Sequence, residues 1–294
     1  MSADAAQFVR ARSVQEALGS LQRFASGGPR PVLLAGGTDW MVERQLGHHA
    51  PEGPAPSVID VSGISALQTI ERKALTHGIE YTIGGGATYL QMRRHESLVR
   101  EVPMIDAMAR EVGAIQIQAR GTLAGNLATG SPAADGVPVL FALAAIVRVQ
   151  SEARGTRDIA VDQFYTGYKK HQMAADEMIV DIRLRVPTGP WFWRKVGTRR
   201  AQSISKVALA ATAQLDQGRI DDVHFGMASV APTIAALPSV RAALRGGVAK
   251  SITPETWRGA LTKDIAPIDD VRSTREYRLH VAERLVQRFL ESIQ

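Results

Sequence analysis

The sequence of 294 residues predicts an α+β protein with two domains. The first observation is a change of composition near residue 175, where mixed short elements give way to a run of strands. The second is that the later segments 177–186, 192–198, 206–215 and 219–229 favour strands and are followed by helices. Consecutive strands followed by helices are typical of an antiparallel sheet packed against helices. We therefore expect one domain over residues 1–175 and a second over 176–294.

The N-terminal part alternates helices and strands. Residues 13–16 (SVQE) have the spacing of a helix capping box, and apolar residues follow at helical intervals until Gly27-Gly28-Pro29 ends the helix. Helices are also expected over 89–112, interrupted at Pro103, and over 138–144. Short apolar runs bounded by turn residues predict strands at 31–35, 57–61, 67–73, 79–83 and 145–150, with 67–73 and 79–83 joined as a hairpin around 76–78.

The C-terminal end is predicted to be helical. Capping residues and helical spacing predict three helices. The first runs from near Pro232 to Gly246-Gly247, and the second begins with Thr253 as N-cap and Pro254 as its first residue. The third runs from the capping box 273–276 (STRE) to about Ser292. These helices are expected to cover the preceding strands.

The chain contains no cysteine. Disulfides, thiolate zinc sites, cysteine-ligated iron–sulfur clusters and cysteine nucleophiles are therefore excluded. Any redox role must then depend on an organic cofactor.

The formal net charge is +6, but the basic residues are scattered, with short doublets at Arg93-Arg94 and Arg199-Arg200. Nucleic-acid-binding proteins usually carry a basic run or stripe with interleaved aromatic residues. Aromatic residues make up 5% of this chain, so we expect no nucleic-acid partner, and instead an acidic protein or an anionic cofactor. No apolar stretch approaches the ~18 residues of a membrane span, and the N-terminus lacks a signal core, so we expect a cytoplasmic protein outside the membrane.

Several nucleotide and catalytic motifs are absent. The sequence has no P-loop, no G-x-S-x-G nucleophile elbow and no histidine pair with metal-binding spacing. Residues 84–89 (GGGATY) begin like a dinucleotide fingerprint, but Tyr89 stands where the third glycine belongs. We therefore interpret that segment as a turn.

The first segment with chemical character is Ala35-Gly36-Gly37-Thr38-Asp39, directly after a predicted buried strand. Glycines allow the backbone to approach a ligand, and successive N–H groups form a nest for an anion. Thr38 adds a hydroxyl donor, and Asp39 is placed to cap a helix that begins at Trp40. An ordinary strand-to-helix turn has the same composition.

The second segment covers residues 120–135 (RGTLAGNLATGSPAAD). It has three glycines, three hydroxyl side chains, an asparagine and an aspartate, with little apolar content, so we expect a long loop. Long loops between ordered elements are usually functional. Its donors suit a diphosphate and its carboxylate suits ribose-like hydroxyls, which predicts a bound nucleotide-like anion without a P-loop or a Rossmann fold.

Residues 33–43 (LLAGGTDWMVE) and 119–135 (ARGTLAGNLATGSPAAD) together resemble the FAD-binding medium subunits of the molybdenum hydroxylases, the xanthine dehydrogenase and carbon monoxide dehydrogenase family. The resemblance continues through 176–187 (DEMIVDIRLRVP) and 194–210 (RKVGTRRAQSISKVALA) and so covers nearly the whole chain. It implies a vanillyl-alcohol-oxidase/MurB-type FAD-binding domain over 1–175 and a smaller flavin-associated α+β domain over 176–294.

The resemblance also implies FAD contacts residue by residue, and it implies neither a catalytic residue nor a metal ligand in this chain. The FAD diphosphate and adjoining flavin would contact Val32, Leu33, Leu34, Ala35, Gly36, Gly37, Thr38 and Asp39. A second diphosphate segment would be Thr122, Leu123, Ala124, Gly125 and Asn126, with Thr129, Ser131 and Asp135 on the ribityl and ribose hydroxyls. Val112 and Gly113 would lie near the adenine, Ile182 would pack on the cofactor, and Lys195 would approach the isoalloxazine.

A cation near the isoalloxazine stabilises the reduced, anionic flavin. This gives Lys195 a chemical reason to lie there, and the alternative is a surface lysine at a strand edge.

Two departures from the family pattern stand out. The family commonly has Gly-Gly in the second segment, where this chain has Ala124-Gly125, and alanine fits only if the backbone φ there is negative. Some relatives hold an additional iron–sulfur cluster in this subunit, which a chain without cysteine cannot do.

The family context implies two partners. A small subunit with two [2Fe–2S] clusters and a large molybdopterin subunit would complete a heterotrimer or a dimer of heterotrimers. Electrons would pass from the substrate at molybdenum through the clusters to FAD, and then to NAD, oxygen or another acceptor. The alternatives are a self-contained flavin-dependent oxidoreductase of the same fold and a nucleotide-binding regulatory protein.

Overall fold

The computed structural model describes residues 6–25, 29–45, 55–200 and 202–294, and the predicted stop at Gly27-Gly28 lies outside them. The helices are α1 (Val14–Ala25), α2 (Thr38–Gln45), α3 (Tyr89–Arg94), α4 (Glu96–Glu101), α5 (Pro103–Ala109), α6 (Ile115–Gln118), α7 (Leu123–Thr129), α8 (Gly136–Ala142), α9 (Pro238–Leu244), α10 (Pro254–Asp264) and α11 (Arg275–Ser292). The strands are β1 (Phe8–Arg10), β2 (Val32–Leu34), β3 (Val58–Asp60), β4 (Ile70–Leu75), β5 (Gly78–Gly84), β6 (Ile146–Ser151), β7 (Gly155–Ala160), β8 (Tyr165–Gly167), β9 (Lys170–His171), β10 (Met178–Arg185), β11 (Trp191–Val196), β12 (Val207–Asp216) and β13 (Arg219–Ala228).

The first layer is a three-stranded parallel sheet with the order β1-β3-β2. Helix α1 covers it and buries Leu18 and Leu21 in a small apolar cluster with Ile59. The predicted cap is present, because the Glu16 N–H donates to Ser13 Oγ at 3.1 Å. The chain leaves β2 directly into the glycine segment 35–39, so this sheet positions the first predicted cofactor loop.

The second layer is a five-stranded antiparallel sheet with the order β4-β5-β10-β6-β7. The predicted hairpin is present as β4 and β5. Strand β10 lies at the centre, paired with β5 and β6. The prediction that segment 177–186 opens the C-terminal sheet is therefore wrong, and we propose to draw the domain boundary between β10 and β11 rather than at residue 175.

The predicted helical stretch over 89–112 consists of α3, α4 and α5, with Pro103 at the start of α5. The second glycine segment differs from its prediction as a loop, because α7 occupies its centre. The Gly125 N–H donates to Thr122 Oγ1 at 2.9 Å and caps this helix, and Gly130 ends it at φ +65°. Leu127 is fully buried and anchors the helix in the core.

The C-terminal domain contains the antiparallel sheet β11-β12-β13 under α9, α10 and α11. Alternate residues of β12 are buried on opposite faces: Ala208 joins the core of the five-stranded sheet, and Leu209 joins the core under α11. Helix α9 begins at Pro238 rather than near Pro232, and α11 is capped by Thr274 rather than by the preceding serine.

The two domains meet where α8 packs on β12 and β13. A Cβ at Gly226 would lie 2.1 Å from the Pro138 carbonyl oxygen, so glycine is needed for this approach. Thr212 Oγ1 also donates to the Ala142 carbonyl at 2.6 Å. These contacts hold β11, and with it Lys195, beside the segment that follows α7.

A search of the described helices for one with both the length and the apolar character of a membrane span finds none.

Candidate cofactor site

A cleft of about 510 Å³ lies beside strand β2 of the parallel sheet and the start of α7. One wall is built from the end of β2 with the start of α2, and from the segment that leads into α7. The lining also includes the charged and polar side chains Arg30, Lys169, His171 and Glu177. The cleft therefore brings together the two glycine segments that the sequence singled out.

The first glycine segment offers backbone donors. The N–H groups of Gly36 and Gly37 make no hydrogen bond within the described residues. Gly37 has a φ of +73°, the left-handed conformation that glycine adopts without strain. Free, successive N–H groups of this kind suit an anion.

Asp39 has a different role from the predicted helix cap. Helix α2 begins at Thr38, one residue earlier than Asp39, so the carboxylate lies within the first turn. Thr129 Oγ1 lies 2.8 Å from Asp39 Oδ2 and donates to it across the cleft. This contact links the first segment to the end of α7.

The two glycine segments pack directly on each other. A Cβ at Gly36 would lie 2.1 Å from the Arg120 carbonyl oxygen. The Arg120 side chain returns to the same loop, with Nε donating to the Gly36 carbonyl at 3.4 Å. The segments therefore form one unit, and Gly36 is needed for their contact with each other as well as for ligand approach.

The start of α7 presents backbone rather than side chains. Leu123 and Ala124 are buried in the core, while Thr122, Gly125, Asn126 and Thr129 line the cleft. Ala124 lies inside the right-handed helix, so alanine is compatible with the backbone where relatives carry glycine.

Of the residues predicted to contact FAD, those from Val32 to Asp39 line the cleft, together with Val112, Thr122, Gly125, Asn126 and Thr129. Seven others lie outside its lining: Gly113, Leu123, Ala124, Ser131, Asp135, Ile182 and Lys195. Ile182 is 1% exposed and packs in the first core, paired in register with Ile83 and Val147 of the neighbouring strands. Its packing against the cofactor stays a prediction.

Asp135 and Lys195 form a buried ion pair with each other. Lys195 Nζ lies 2.5 Å from Asp135 Oδ2 and also donates to the Glu111 carbonyl at 3.0 Å. Ser205 Oγ donates to the other carboxylate oxygen at 2.6 Å. Burial raises the pKa of the Asp135 carboxyl, although the charge and hydrogen bond of Lys195 and the hydroxyl of Ser205 act to lower it.

Replacing Lys195 by methionine should therefore destabilise the FAD-free protein strongly at neutral pH. The buried Asp135 carboxylate would lose its cation, which typically costs roughly 3–5 kcal/mol of unfolding free energy. The folded pKa of Asp135 is raised, so stability is lost as pH rises through that pKa, and the deficit of Lys195→Met should shrink in acid. Urea unfolding of the variant and the parent at neutral and acidic pH measures this.

The matched control is Lys195→Met combined with Asp135→Asn. The double variant carries no unpaired buried charge, so it should regain most of the lost stability at neutral pH. Equal stability of the parent and Lys195→Met at every pH would contradict the charged pair.

Three polar atoms at this cleft belong to residues that the sequence did not predict as cofactor contacts. Trp40 Nε1, Tyr89 Oη and His171 Nδ1 are buried and have no hydrogen-bond partner among the described residues. Unsatisfied buried polar groups are uncommon in proteins and point to a missing ligand or water. The nest at Gly36-Gly37 and these unpartnered groups fit a polar anionic cofactor such as FAD.

Comparisons with known proteins agree with this assignment. The family of FAD-binding domains in molybdopterin dehydrogenase matches residues 4–188, and the CO dehydrogenase flavoprotein C-terminal domain matches residues 193–293. The first match ends after β10 and the second begins within β11, close to where the strand pairing changes.

Relatives match along most of their length. The xanthine dehydrogenase FAD-binding subunit of Escherichia coli O157:H7 is 25% identical over 291 residues, covering 98% of this chain and 95% of that protein. The nicotine 6-hydroxylase medium subunit of Paenarthrobacter nicotinovorans is 28% identical, covering 79% and 80%. The solved carbon monoxide dehydrogenase of Hydrogenophaga pseudoflava shares the fold, with a TM-score of 0.86 at 22% identity over 98% of this chain and 96% of that chain.

These matches confirm the predicted two-domain α+β fold and the predicted cofactor, FAD. The FAD-binding match alone covers more than half of the sequence. The chain therefore belongs to the family of FAD-binding domains of molybdopterin dehydrogenases, as an oxidoreductase flavoprotein subunit of the molybdenum hydroxylase type.

Proposed function

We propose that this chain is the electron-transfer subunit of a molybdenum hydroxylase. It receives electrons from the [2Fe–2S] clusters of a small partner subunit and passes them through FAD to an external acceptor. The substrate is oxidised at a molybdopterin centre in a large partner subunit. The observation that carries this proposal is a cleft that brings the two glycine segments together, in a chain that has no cysteine to hold a cluster of its own.

Two further facts support the proposal that the clusters and the molybdopterin centre belong to partner subunits. The described residues contain no group of histidine, cysteine, aspartate and glutamate side chains able to hold a metal ion. The relatives in Escherichia coli and Paenarthrobacter are named as a subunit of xanthine dehydrogenase and a medium subunit of nicotine 6-hydroxylase, so each is one chain of a larger enzyme.

Bound FAD supplies a carrier that accepts and releases electrons singly or in pairs. The residues of this chain hold and orient it. Gly36 and Gly37 direct their free N–H groups to the diphosphate, together with the start of α7. Asp39 and Thr129, joined across the cleft, are placed for the hydroxyls next to the diphosphate.

In this proposal the isoalloxazine lies near Lys195 and Asp135, which are outside the lining of the cleft. Their neighbours include Glu111 and the basic residues Arg194, Arg199 and Arg200, which line a separate cavity of about 520 Å³. Because Lys195 is held by Asp135 and the Glu111 carbonyl, its cation keeps a fixed position. A fixed cation next to the flavin stabilises the reduced form, and the basic surface beside it suits an acidic partner.

The test is purification of the affinity-tagged chain from its native cells. We expect FAD in the preparation, together with one partner that contains iron and acid-labile sulfide and a second that contains molybdenum. The measurements are the visible spectrum, metal analysis and mass spectrometry of the co-purifying chains. A tagged chain that carries FAD but always purifies alone, under gentle conditions, would contradict the proposed partners.

A further inference from the structure

Tyr89 is the first residue of α3, and the start of that helix is firmly fixed. Thr88 and Gln91 form a reciprocal capping box, with hydrogen bonds of 3.2 Å and 2.8 Å. The Tyr89 N–H donates to the Gly121 carbonyl at 3.0 Å, which ties the helix to the second glycine segment. The position of the Tyr89 ring is therefore set by the backbone on both sides.

The ring lies beneath the start of α7. Tyr89 is 2% exposed, yet it lines the cofactor cleft together with Thr122, Gly125 and Asn126. A Cβ at Gly136 would lie 2.6 Å from Tyr89 Oη, so the absence of a side chain at Gly136 makes room for the hydroxyl.

The hydroxyl has no hydrogen-bond partner within the described residues. The nearby Asn126 Oδ1 already accepts from the Gly136 N–H at 3.0 Å. A buried hydroxyl without a partner costs free energy, so its retention at the wall of a ligand cleft points to an acceptor on the ligand.

The protonation of the Tyr89 hydroxyl determines that it donates its hydrogen bond. Burial raises the pKa of Tyr89 well above its ordinary value, and the nearby carboxylates of Asp135 and Asp39 raise it further. The phenol therefore stays protonated and acts as a donor. Among the parts of FAD, the diphosphate is the strongest acceptor and the part assigned to this segment.

We propose that the Tyr89 hydroxyl donates a hydrogen bond to the diphosphate of bound FAD. This inference rests on the proposed placement of the diphosphate at the start of α7. It also gives a role to the tyrosine that interrupts the glycine pattern of residues 84–89. Tyr89 is then a cofactor-positioning residue supplied by α3, outside both glycine segments.

The test compares Tyr89→Phe with the parent, both freed of FAD. We expect FAD to bind about tenfold more weakly or worse to the variant, which is the loss typical of a hydrogen bond to a charged group. The FAD-free variant should unfold at the same temperature as the parent or higher, because it no longer buries an unpaired hydroxyl. The ³¹P resonances of bound FAD should shift between the two proteins.

The matched control is Tyr165→Phe, because Tyr165 Oη donates to the Leu127 carbonyl at 2.8 Å and so has a structural partner. That variant should lower the unfolding temperature and leave both the FAD affinity and the ³¹P resonances unchanged. FAD binding equal to the parent in Tyr89→Phe would overturn the proposal while the cofactor site stands, and so would weaker binding with unchanged ³¹P resonances. Failure of the parent chain itself to bind FAD would instead overturn the cofactor site.

Discussion

Replacing Gly36 by alanine should abolish FAD binding although it adds a single methyl group. The new Cβ would lie 2.1 Å from the Arg120 carbonyl oxygen, and a backbone atom cannot rotate away as a side chain can. The two glycine segments must then separate, which displaces the N–H groups of Gly36 and Gly37 from the start of α7. FAD retained after gel filtration, measured by the flavin absorbance per polypeptide, should fall to nearly zero.

Two graded controls accompany this variant. Gly63→Ala adds the same methyl group where nothing lies within 4 Å, and it should bind FAD like the parent. Gly125→Ala should be intermediate, because its Cβ would meet the Thr122 hydroxyl at 2.9 Å and that hydroxyl can move. Far-ultraviolet circular dichroism should show all three variants folded. Full FAD occupancy in a folded Gly36→Ala would mean that the two segments do not form the diphosphate site.

The sequence singled out two glycine segments that the structure brings to one cleft, and it could do so because their chemistry is local. A run such as Gly36-Gly37-Thr38 after a short apolar segment can be recognised from the local sequence. The helix α7 was missed because glycine, asparagine and threonine weigh against helix in isolation. Its cap at Thr122 and the burial of Leu127 stabilise it in the folded protein, which is a tertiary effect.

The partners of each strand could not be predicted from the sequence either. The predicted strand over 177–186 is present as β10, but nothing in its residues indicates that its neighbours are β5 and β6 rather than β11. Strand β7 went unpredicted because its first four residues are exposed and polar, so the apolar alternation that marks a strand is absent.

The ion pair between Asp135 and Lys195 is another contact that could not be predicted from the sequence. The family resemblance assigned each residue a separate contact with FAD. The structure joins them across the domain boundary, with Lys195 on β11 and Asp135 just before α8. A contact between residues 60 positions apart depends on how α8 docks on the C-terminal sheet, and no local pattern encodes it.

The chain without its partners should be unable to oxidise the substrate of the enzyme. It should accept electrons from an artificial reductant such as dithionite, yet oxidise no heterocycle, aldehyde or carbon monoxide. Charged groups at the cleft are engaged with other protein groups, as in Lys169 with Glu43 and Thr129 with Asp39. Anaerobic bleaching of the flavin near 450 nm, followed for the isolated chain with each reductant and substrate, measures this.

Adding the cluster-bearing and molybdenum-bearing partners should make the flavin absorbance fall on addition of substrate, because electrons then have a route from molybdenum to FAD. The same complex assembled with the Gly36→Ala chain is the matched control. It should oxidise substrate only as far as the clusters of the partner can hold electrons, and it should not pass them to the acceptor of the parent enzyme. Substrate turnover by the isolated chain would reject the subunit function, and a self-contained flavin-dependent oxidoreductase would take its place.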